Sequence, residues 1–277
     1  MTRSDVVETA RAYYDSADAD AFYEAVWGGE DIHIGLYASP QESIAEASRR
    51  TVMRMIDRVR AGPPSRRALD LGSGYCGATR QIARQLGARV VAVNLSAVEN
   101  RRARTLNAAA GLGERIEVID GSFESLPHVA DAFDLVWSQD ALLHSGARAK
   151  VVSEVSRVLA PGGHFVFTDP MQADDCPADV LAPILERIHL RDLGSPGFYR
   201  RCAHEAGLEE IAFEDHTAQL VTHYGRVLEQ TRSRFDELST RIDPGYLDRM
   251  QTGLGHWIEG GRAGHLVWGI FHFRNAG

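Results

Sequence analysis

No run of apolar residues in this chain approaches the eighteen or so needed to cross a bilayer, so a membrane-spanning role is not expected. The opening Met1-Thr2-Arg3-Ser4-Asp5 leads into polar, helix-like sequence rather than the apolar core of a signal peptide, so a cytoplasmic location is expected. No basic run exceeds the pairs Arg49-Arg50, Arg66-Arg67 and Arg101-Arg102, and the formal net charge is −8. That balance argues against a nucleic-acid partner and favours a small-molecule one. The acidic excess, 38 residues against 30, is far from an extreme salt-adapted composition. Cysteine is scarce: Cys76, Cys176 and Cys202 lie far apart, without CxxC or Cys/His ligand spacing. Free thiols are expected, with no structural zinc and no metal. Repeats and low-complexity tracts are also missing from these 277 residues, which suit one large α/β domain or two small ones.

What is present is the stretch Ala68-Leu69-Asp70-Leu71-Gly72-Ser73-Gly74-Tyr75-Cys76-Gly77. It reads as an apolar strand entering a glycine-rich turn, followed by a helix over about 78–86. Spaced glycines turn the backbone tightly, let it approach a ligand, and present N–H groups at a helix N-terminus. A bare GxGxxG is weak evidence, so its surroundings must choose the cofactor. A dinucleotide site places Asp or Glu about 20 residues on to bind the ribose. Here the second strand, Arg89-Val90-Val91-Ala92-Val93, ends in Asn94, and no Tyr-x-x-x-Lys pair is recognisable, so a nicotinamide oxidoreductase loses support. Asp70, two positions before the first glycine, suits a cationic ligand better than a pyrophosphate. With these residues the stretch resembles the first motif, hxDhGxGxG (h apolar), of the class I S-adenosylmethionine (SAM) methyltransferases. The resemblance implies SAM as cofactor and S-adenosylhomocysteine as product, with Asp70, Gly72, Ser73, Gly74, Asn94 and Leu95 holding it. Cys76 departs from this pattern, occupying a position expected to be glycine, which bears on loop rigidity.

Residues 1–64 precede the cofactor strand. Val6, Ala10, Tyr13 and Tyr14 recur at helical spacing. Residues 27–37, Trp-Gly-Gly-Glu-Asp-Ile-His-Ile-Gly-Leu-Tyr, have neither helical nor strand periodicity and read as a functional loop. A helix over 43–60 carries Val52, Met55, Ile56 and Val59 on one face and stops at Gly62-Pro63-Pro64. Such a segment serves as a lid, or Trp27 and Tyr37 merely pack it onto the core. Beyond the second strand, a helix over 96–110 with Ser96 as N-cap precedes a third strand, 116–120. Ligands collect at the carboxyl ends of strands in open α/β sheets, so Asp120, Gly121, Ser122 and Phe123 are expected beside the glycine turn, on the adenine. A fourth strand, 132–137, delivers Ser138, Gln139, Asp140 and His144 towards the cofactor's methionine end. A helix over 154–159 ends at the turn Ala160-Pro161-Gly162-Gly163 before a fifth strand, 164–169. Helices over 180–190 and 198–206, a strand over 209–214, helices within 216–261 and a final strand over 265–274 follow. The family resemblance makes this last strand antiparallel. The expected fold is a class I methyltransferase (Rossmann-like) α/β sheet of seven mostly parallel strands with helices on both faces. A lid, 1–64, and a core, 65–277, with a helical cap at about 216–261 together form one structural domain.

The resemblance becomes narrower in the segments outside the sheet motifs. The loop 27–37, Val136-Trp137-Ser138-Gln139-Asp140, Phe167-Thr168-Asp169-Pro170-Met171, Phe213-Glu214-Asp215-His216-Thr217 and His223-Tyr224-Gly225-Arg226-Val227 are together similar to the bacterial sarcosine/dimethylglycine N-methyltransferases. That family makes glycine betaine, an osmoprotectant. The resemblance implies an acceptor site drawn from Trp27, His33, Tyr37, Asp140, Met171, His223, Tyr224 and Arg226, with Arg200 a further candidate. Arg200, Arg226 and His223 are candidates for an acceptor carboxylate. Trp27, Tyr37 and Tyr224 are candidates to surround a developing quaternary ammonium, a contact of about 0.5–2 kcal/mol. Tyr37, His144 and Tyr224 are the candidate catalytic residues. The proton that the acceptor amine sheds has three destinations, His144, His33 or bulk solvent, and the sequence does not choose among them. Another small-molecule acceptor, such as a natural product or phosphoethanolamine, and a non-catalytic SAM-binding protein remain alternatives. So do a monomer and a homodimer.

Overall fold

The chain's computed structural model describes residues 11–28, 30–60, 62, 66–188 and 190–277. Val6 and Ala10 of the expected first helix, Gly29 of the loop, and Pro63 and Pro64 lie outside the described residues. Strands form where the sequence alternates between two buried faces. Ala68 and Leu69, adjacent on β1 (Arg67–Leu71), enter separate cores above and below the sheet, as neighbouring residues of a strand must. Six more strands follow: β2 (Arg89–Asn94), β3 (Ile116–Asp120), β4 (Phe133–Gln139), β5 (Leu159–Gln172), β6 (Leu208–Asp215) and β7 (Leu266–Asn275). They hydrogen-bond in the order β3-β2-β1-β4-β5-β7-β6. The first five are parallel, and β7 runs antiparallel to both β5 and β6. This is the class I methyltransferase sheet.

Helices α1 (Ala17–Phe22), α2 (Ile44–Arg60), α3 (Gly77–Gln85), α4 (Ala97–Ala109), α5 (Arg148–Val158), α6 (Ala182–Arg187), α7 (Pro196–Glu205), α8 (Thr217–Ser233), α9 (Phe235–Leu238) and α10 (Pro244–Arg262) surround it. Local chemistry starts several of them. Ser43 and Glu46 form a reciprocal capping box at α2, and Ser96 Oγ accepts the Glu99 N–H at α4. One core layer packs Val52, Met55 and Ile56 of α2 and Ile82 of α3 against Trp137. The other sets Val151 and Val155 of α5 and Tyr199 of α7 against Val136, Phe165 and Phe167. A third cluster joins distant parts of the chain: Phe22, Val26 and Trp27 pack on Val227, Leu247, Met250 and Leu254. The leading segment and the C-terminal helices therefore share one apolar core.

Four elements differ from the sequence reading. The helix expected over 154–159 begins six residues earlier, as α5 at Arg148. β5 begins at Leu159, because the Pro161-Gly162 turn is absorbed within the strand. Phe133 pairs with Leu159 and Leu135 with His164, so two residues on β4 oppose five on β5. The helix expected over 180–190 is reduced to α6, with Pro183 near its start. Trp27 does not open the loop: it closes a π-helical turn, Tyr23–Trp27, terminated by Gly28 at φ +93°.

Candidate functional site

Strand order reverses at β1, whose neighbours β2 and β4 lead to opposite halves of the sheet. A crevice must open outside the carboxyl ends of strands at such a point. The glycine turn fills it. Gly72 donates its N–H to the Val93 carbonyl at 2.8 Å, folding the turn back over β2. Gly72 and Gly74 hold φ at +73° and +49°. A Cβ on Gly72 would stand 2.4 Å from Ala141 Cβ, and one on Gly77 would stand 2.1 Å from Asp31 Oδ1. Only bare backbone fits between the loop around Asp31 and the start of α3. Cys76, the departure from the glycine pattern, itself adopts the left-handed conformation at φ +61° and is fully buried. It holds a backbone shape that glycine reaches without strain.

The cleft encloses about 800 Å³ of space not filled by protein, partly open to solvent. Of the cofactor residues read from the sequence, Asp70, Gly72, Ser73, Gly74, Asn94, Leu95, Phe123 and Gln139 line it. Asp70 is almost fully buried and accepts a hydrogen bond from the Thr79 hydroxyl. Burial outweighs that bond and pushes its carboxyl up to about 7. A second buried carboxylate, Glu99, faces the same space from the first turn of α4 and accepts from Asn94 Nδ2 at 2.9 Å. Burial raises it to about 7 as well. Ser73 Oγ and Gln139 Nε2 are buried on the cleft wall without a hydrogen-bond partner. Glycine cradle, two carboxylates and orphaned polar atoms together fit a ligand carrying cationic and hydroxyl groups.

Four further cofactor candidates are directed elsewhere by specific bonds. Asp120 lies at the end of β3, but Asn100 and Arg104 of α4 draw its carboxylate outward. Gly121 donates to the Asn94 carbonyl, and Ser122 Oγ accepts the Glu124 N–H within its own turn. Ser138 is fully buried and donates to the Leu71 carbonyl, tying β4 to β1.

His33, Asp140 and His144 complete the lining from the acceptor and catalytic set. Asp140, at φ +50°, accepts the Ile34 N–H at 2.7 Å and the Trp268 Nε1–H at 2.8 Å. It clasps the loop to both β4 and β7. His144 Nε2 meets the Tyr14 hydroxyl at 2.9 Å. Desolvation, aided by the charge of Arg148, holds this imidazole down to about 4, so it is neutral near pH 7. For His33, burial alone would favour the neutral form, but the Asp31 carboxylate 3.4 Å away raises its basicity overall.

Trp27, Tyr37 and His223 form a packed group behind the loop rather than cleft wall. His223 Nδ1 receives the Gly35 N–H and the Tyr37 hydroxyl, each at 3.1 Å, while Trp27 stacks obliquely on the same imidazole. Burial drives His223 down to about 3, which preserves the lone pair those bonds need. Tyr224 is the next residue of α8 and packs on Trp257. Met171 is buried in the opposite core layer with Tyr199 and Phe271. Arg200 pairs with Glu210 and lies over the Phe213 ring on the outer end of the sheet. Arg226 pairs with Glu229 one turn along α8. The sequence reading did not single out Tyr14, Asp31 or Glu99 as cleft residues. In the sequence Tyr14 reads as part of a helical stripe with Val6, Ala10 and Tyr13. Glu99 carried one usable signal, its position three residues after the Ser96 cap, where an acidic side chain turns back towards the strand end. Among the described residues no group of His, Cys, Asp or Glu converges as a metal site.

Residues 69–167 match a family model described as a methyltransferase domain. Over 268 residues the chain is 54% identical to the sarcosine/dimethylglycine N-methyltransferase of Halorhodospira halochloris, covering 97% of this chain and 96% of that one. It is 55% identical over the same length to the dimethylglycine N-methyltransferase of Parasynechococcus marenigrum (strain WH8102), with the same coverage. The crystal structure of a candidate sarcosine dimethylglycine methyltransferase from Galdieria sulphuraria is similar at a TM-score of 0.90 and 43% identity, covering 95% of this chain and 99% of that one.

Proposed function

The chain belongs to the sarcosine/dimethylglycine N-methyltransferase family, and from that membership we propose that it methylates sarcosine and dimethylglycine at nitrogen to give glycine betaine. The carrying observation is the extent of the likeness. Identity above one half spans 97% of the chain, so it includes the loop around His33 and helices α8 and α10 as well as the shared sheet motifs. Those outer segments, as lid and cap, are the parts able to select an acceptor.

SAM, when bound, supplies a methyl group on a sulfonium sulfur, open to in-line attack by an amine lone pair. The protein's task is then alignment and exclusion of water. The glycine turn and Ser73 would hold the cofactor through backbone and hydroxyl contacts, with Asp70 facing positive charge. Glu99 and Asn94 would take hydroxyl groups, Phe123 would supply an apolar face, and Gln139 would offer its unpartnered amide. The loop would close the cleft through the Ile34 bond to Asp140 and the Gly35 bond to His223.

Neutral dimethylglycine carries no N–H, so its methylation needs no base within the transfer step. Its solution proton must leave beforehand, and sarcosine must lose one more. A histidine held at about 4 is a poor proton store. His144 therefore serves to position the Tyr14 hydroxyl at the cleft, and the proton departs to His33, whose basicity Asp31 raises, or to solvent. Tyr37 and Trp27 act one layer back, by fixing His223 and the loop.

The test is a mass-resolved methyl-transfer assay with SAM and, separately, glycine, sarcosine, dimethylglycine and phosphoethanolamine, following product and S-adenosylhomocysteine. Betaine from dimethylglycine is the expected result. Turnover of phosphoethanolamine with neither sarcosine nor dimethylglycine accepted would overturn the proposal.

A further inference from the structure

Behind His144 and Asp140 the protein is lined with phenols. Tyr14, on the cleft wall, stacks on Tyr23 with ring centroids 6.0 Å apart. The Tyr13 hydroxyl lies 3.3 Å from that of Tyr23 and 3.2 Å from that of Tyr246 on α10. Tyr224 of α8 packs against the same apolar cluster as Tyr13 and Tyr23. These rings come from three distant parts of the chain and lead away from the cleft towards the end of α6.

There stands Arg187. Its Nη2 lies 2.6 Å from the sulfur of Met250, which cannot neutralise it and which also takes the Tyr13 hydroxyl at 3.7 Å. Gly253 makes room for it on α10: a Cβ there would sit 2.4 Å from Arg187 Nε. Among the described residues no carboxylate forms an ion pair with this guanidinium. Other arginines raised as anchors are already engaged, Arg200 with Glu210 and Arg226 with Glu229, and Arg148 pairs with Asp192. A half-buried guanidinium, set in a glycine notch against tyrosines and a thioether, lacks the anion its surroundings call for.

We propose that Arg187 is the carboxylate anchor of the acceptor site, gripping the acid group of a small amino acid whose amine points past Tyr224 and Tyr14 into the cleft. This rests on the N-methyltransferase reading above and deepens it. The acceptor class becomes a short α-amino acid bearing a secondary or tertiary amine. A bidentate fork explains why arginine stands here, since lysine would offer a point charge without the matching geometry. The tyrosine rings leave the ammonium formed on methylation facing π-systems and hydroxyl oxygens rather than a fixed cation.

The experiment compares the wild type with Arg187→Met and Arg187→Lys. It measures kcat and KM for dimethylglycine and for dimethylaminoethanol, which replaces the carboxylate with an uncharged hydroxymethyl group. SAM affinity and dimethylglycine binding to the S-adenosylhomocysteine-loaded enzyme are read by calorimetry. Arg187→Met is expected to raise the dimethylglycine KM about 100-fold, the scale of losing one partner of a desolvated charge pair. SAM affinity should stay within twofold, and the KM for dimethylaminoethanol within threefold. Arg187→Lys should fall between the two and keep its fold, so it decides the matter if the methionine variant does not fold. A dimethylglycine KM within threefold of wild type in a folded variant overturns the anchor. So does an equal loss for both acceptors, which would mark a structural role. A wild type inert to sarcosine and dimethylglycine overturns the functional reading and the anchor together, whereas an active wild type with an unaffected variant overturns the anchor alone.

Discussion

SAM affinity should depend on pH through two carboxylates that are not ionised for free. Asp70 and Glu99 both face the cleft and both stand at about 7 without a ligand, because burial penalises their charged forms. A ligand with positive charge beside Asp70 favours the carboxylate, so the bound state has the lower value. Binding below pH 7 must then expel a proton, and affinity rises with pH before levelling off above 7. For one group at about 7, the ionised fraction climbs from about a tenth at pH 6 to about nine tenths at pH 8, a tenfold gain or about 1.4 kcal/mol. If hydroxyl donors from the ligand also favour ionised Glu99, the combined gain approaches a hundredfold. The measurement is calorimetric titration of SAM at pH 6, 7 and 8, in two buffers of different ionisation enthalpy to count protons. Asp70→Asn should remove one tenfold step and Glu99→Gln the other. Groups titrating on the ligand itself act equally on every variant, so the difference between slopes is the quantity read. His144 and His223, held at about 4 and 3, do not titrate in this range. A wild-type Kd constant within twofold from pH 6 to 8, or an undiminished slope in Asp70→Asn, would refute the reasoning.

The remaining predictions concern the scaffold around the cleft. Asp140→Ala strands the Ile34 N–H and the Trp268 Nε1–H, each costing about 1–3 kcal/mol if left unsatisfied, so denaturant unfolding should show a loss of about 2–4 kcal/mol. Hydrogen exchange should quicken in residues 31–37 beyond what the global loss explains. Asp169 is fully buried, takes the Tyr199 hydroxyl and the Leu143 N–H, and is raised to about 8 by burial. The folded state therefore keeps its proton from about pH 4 to 8 while the unfolded chain does not, so this group's stabilisation is present at low pH and is lost as pH rises. Stability of Asp169→Asn minus that of wild type should climb by about 1.4 kcal/mol per pH unit between 5 and 6, and a flat difference in urea titrations would contradict this. Cys76→Gly should leave stability within about 1 kcal/mol, relief of the left-handed conformation offsetting lost packing and added chain entropy. Cys76→Val, β-branched at φ +61°, should cost about 2 kcal/mol or more by thermal unfolding.

The sheet was legible because its signals are local. A strand whose successive residues face opposite cores, or a turn that admits only glycine, is written within ten residues, and Asp70, Gly72 and Gly74 lie where such reasoning puts them. Reading the carboxyl ends of the strands points to Asn94, Phe123 and Gln139, which line the cleft, and equally to Asp120 and Ser138, which do not. Which way an end-of-strand side chain turns is decided by neighbours from other elements, here Arg104 for Asp120 and the Leu71 carbonyl for Ser138. Arg187 was out of reach for the same reason. Nothing near residue 187 in sequence marks it, and only the meeting of α6 with α10 shows that Met250 and Gly253, rather than a carboxylate, border its charge.

The placement of β7 bears on how the molecule is made. Residues 266–275 are synthesised after every other strand, yet they occupy an interior position between β5 and β6. Until they emerge, β6 has no neighbour in the sheet and β5 exposes an open edge. Trp268, on the same strand, supplies one of the two donors that seat Asp140. The nascent chain can therefore assemble the glycine turn on β1–β5 well before it can complete the cleft. During that interval the apolar edge of β5, including Phe165 and Phe167, is exposed to wrong pairing, and the wait ends only when a partner more than 90 residues downstream reaches it.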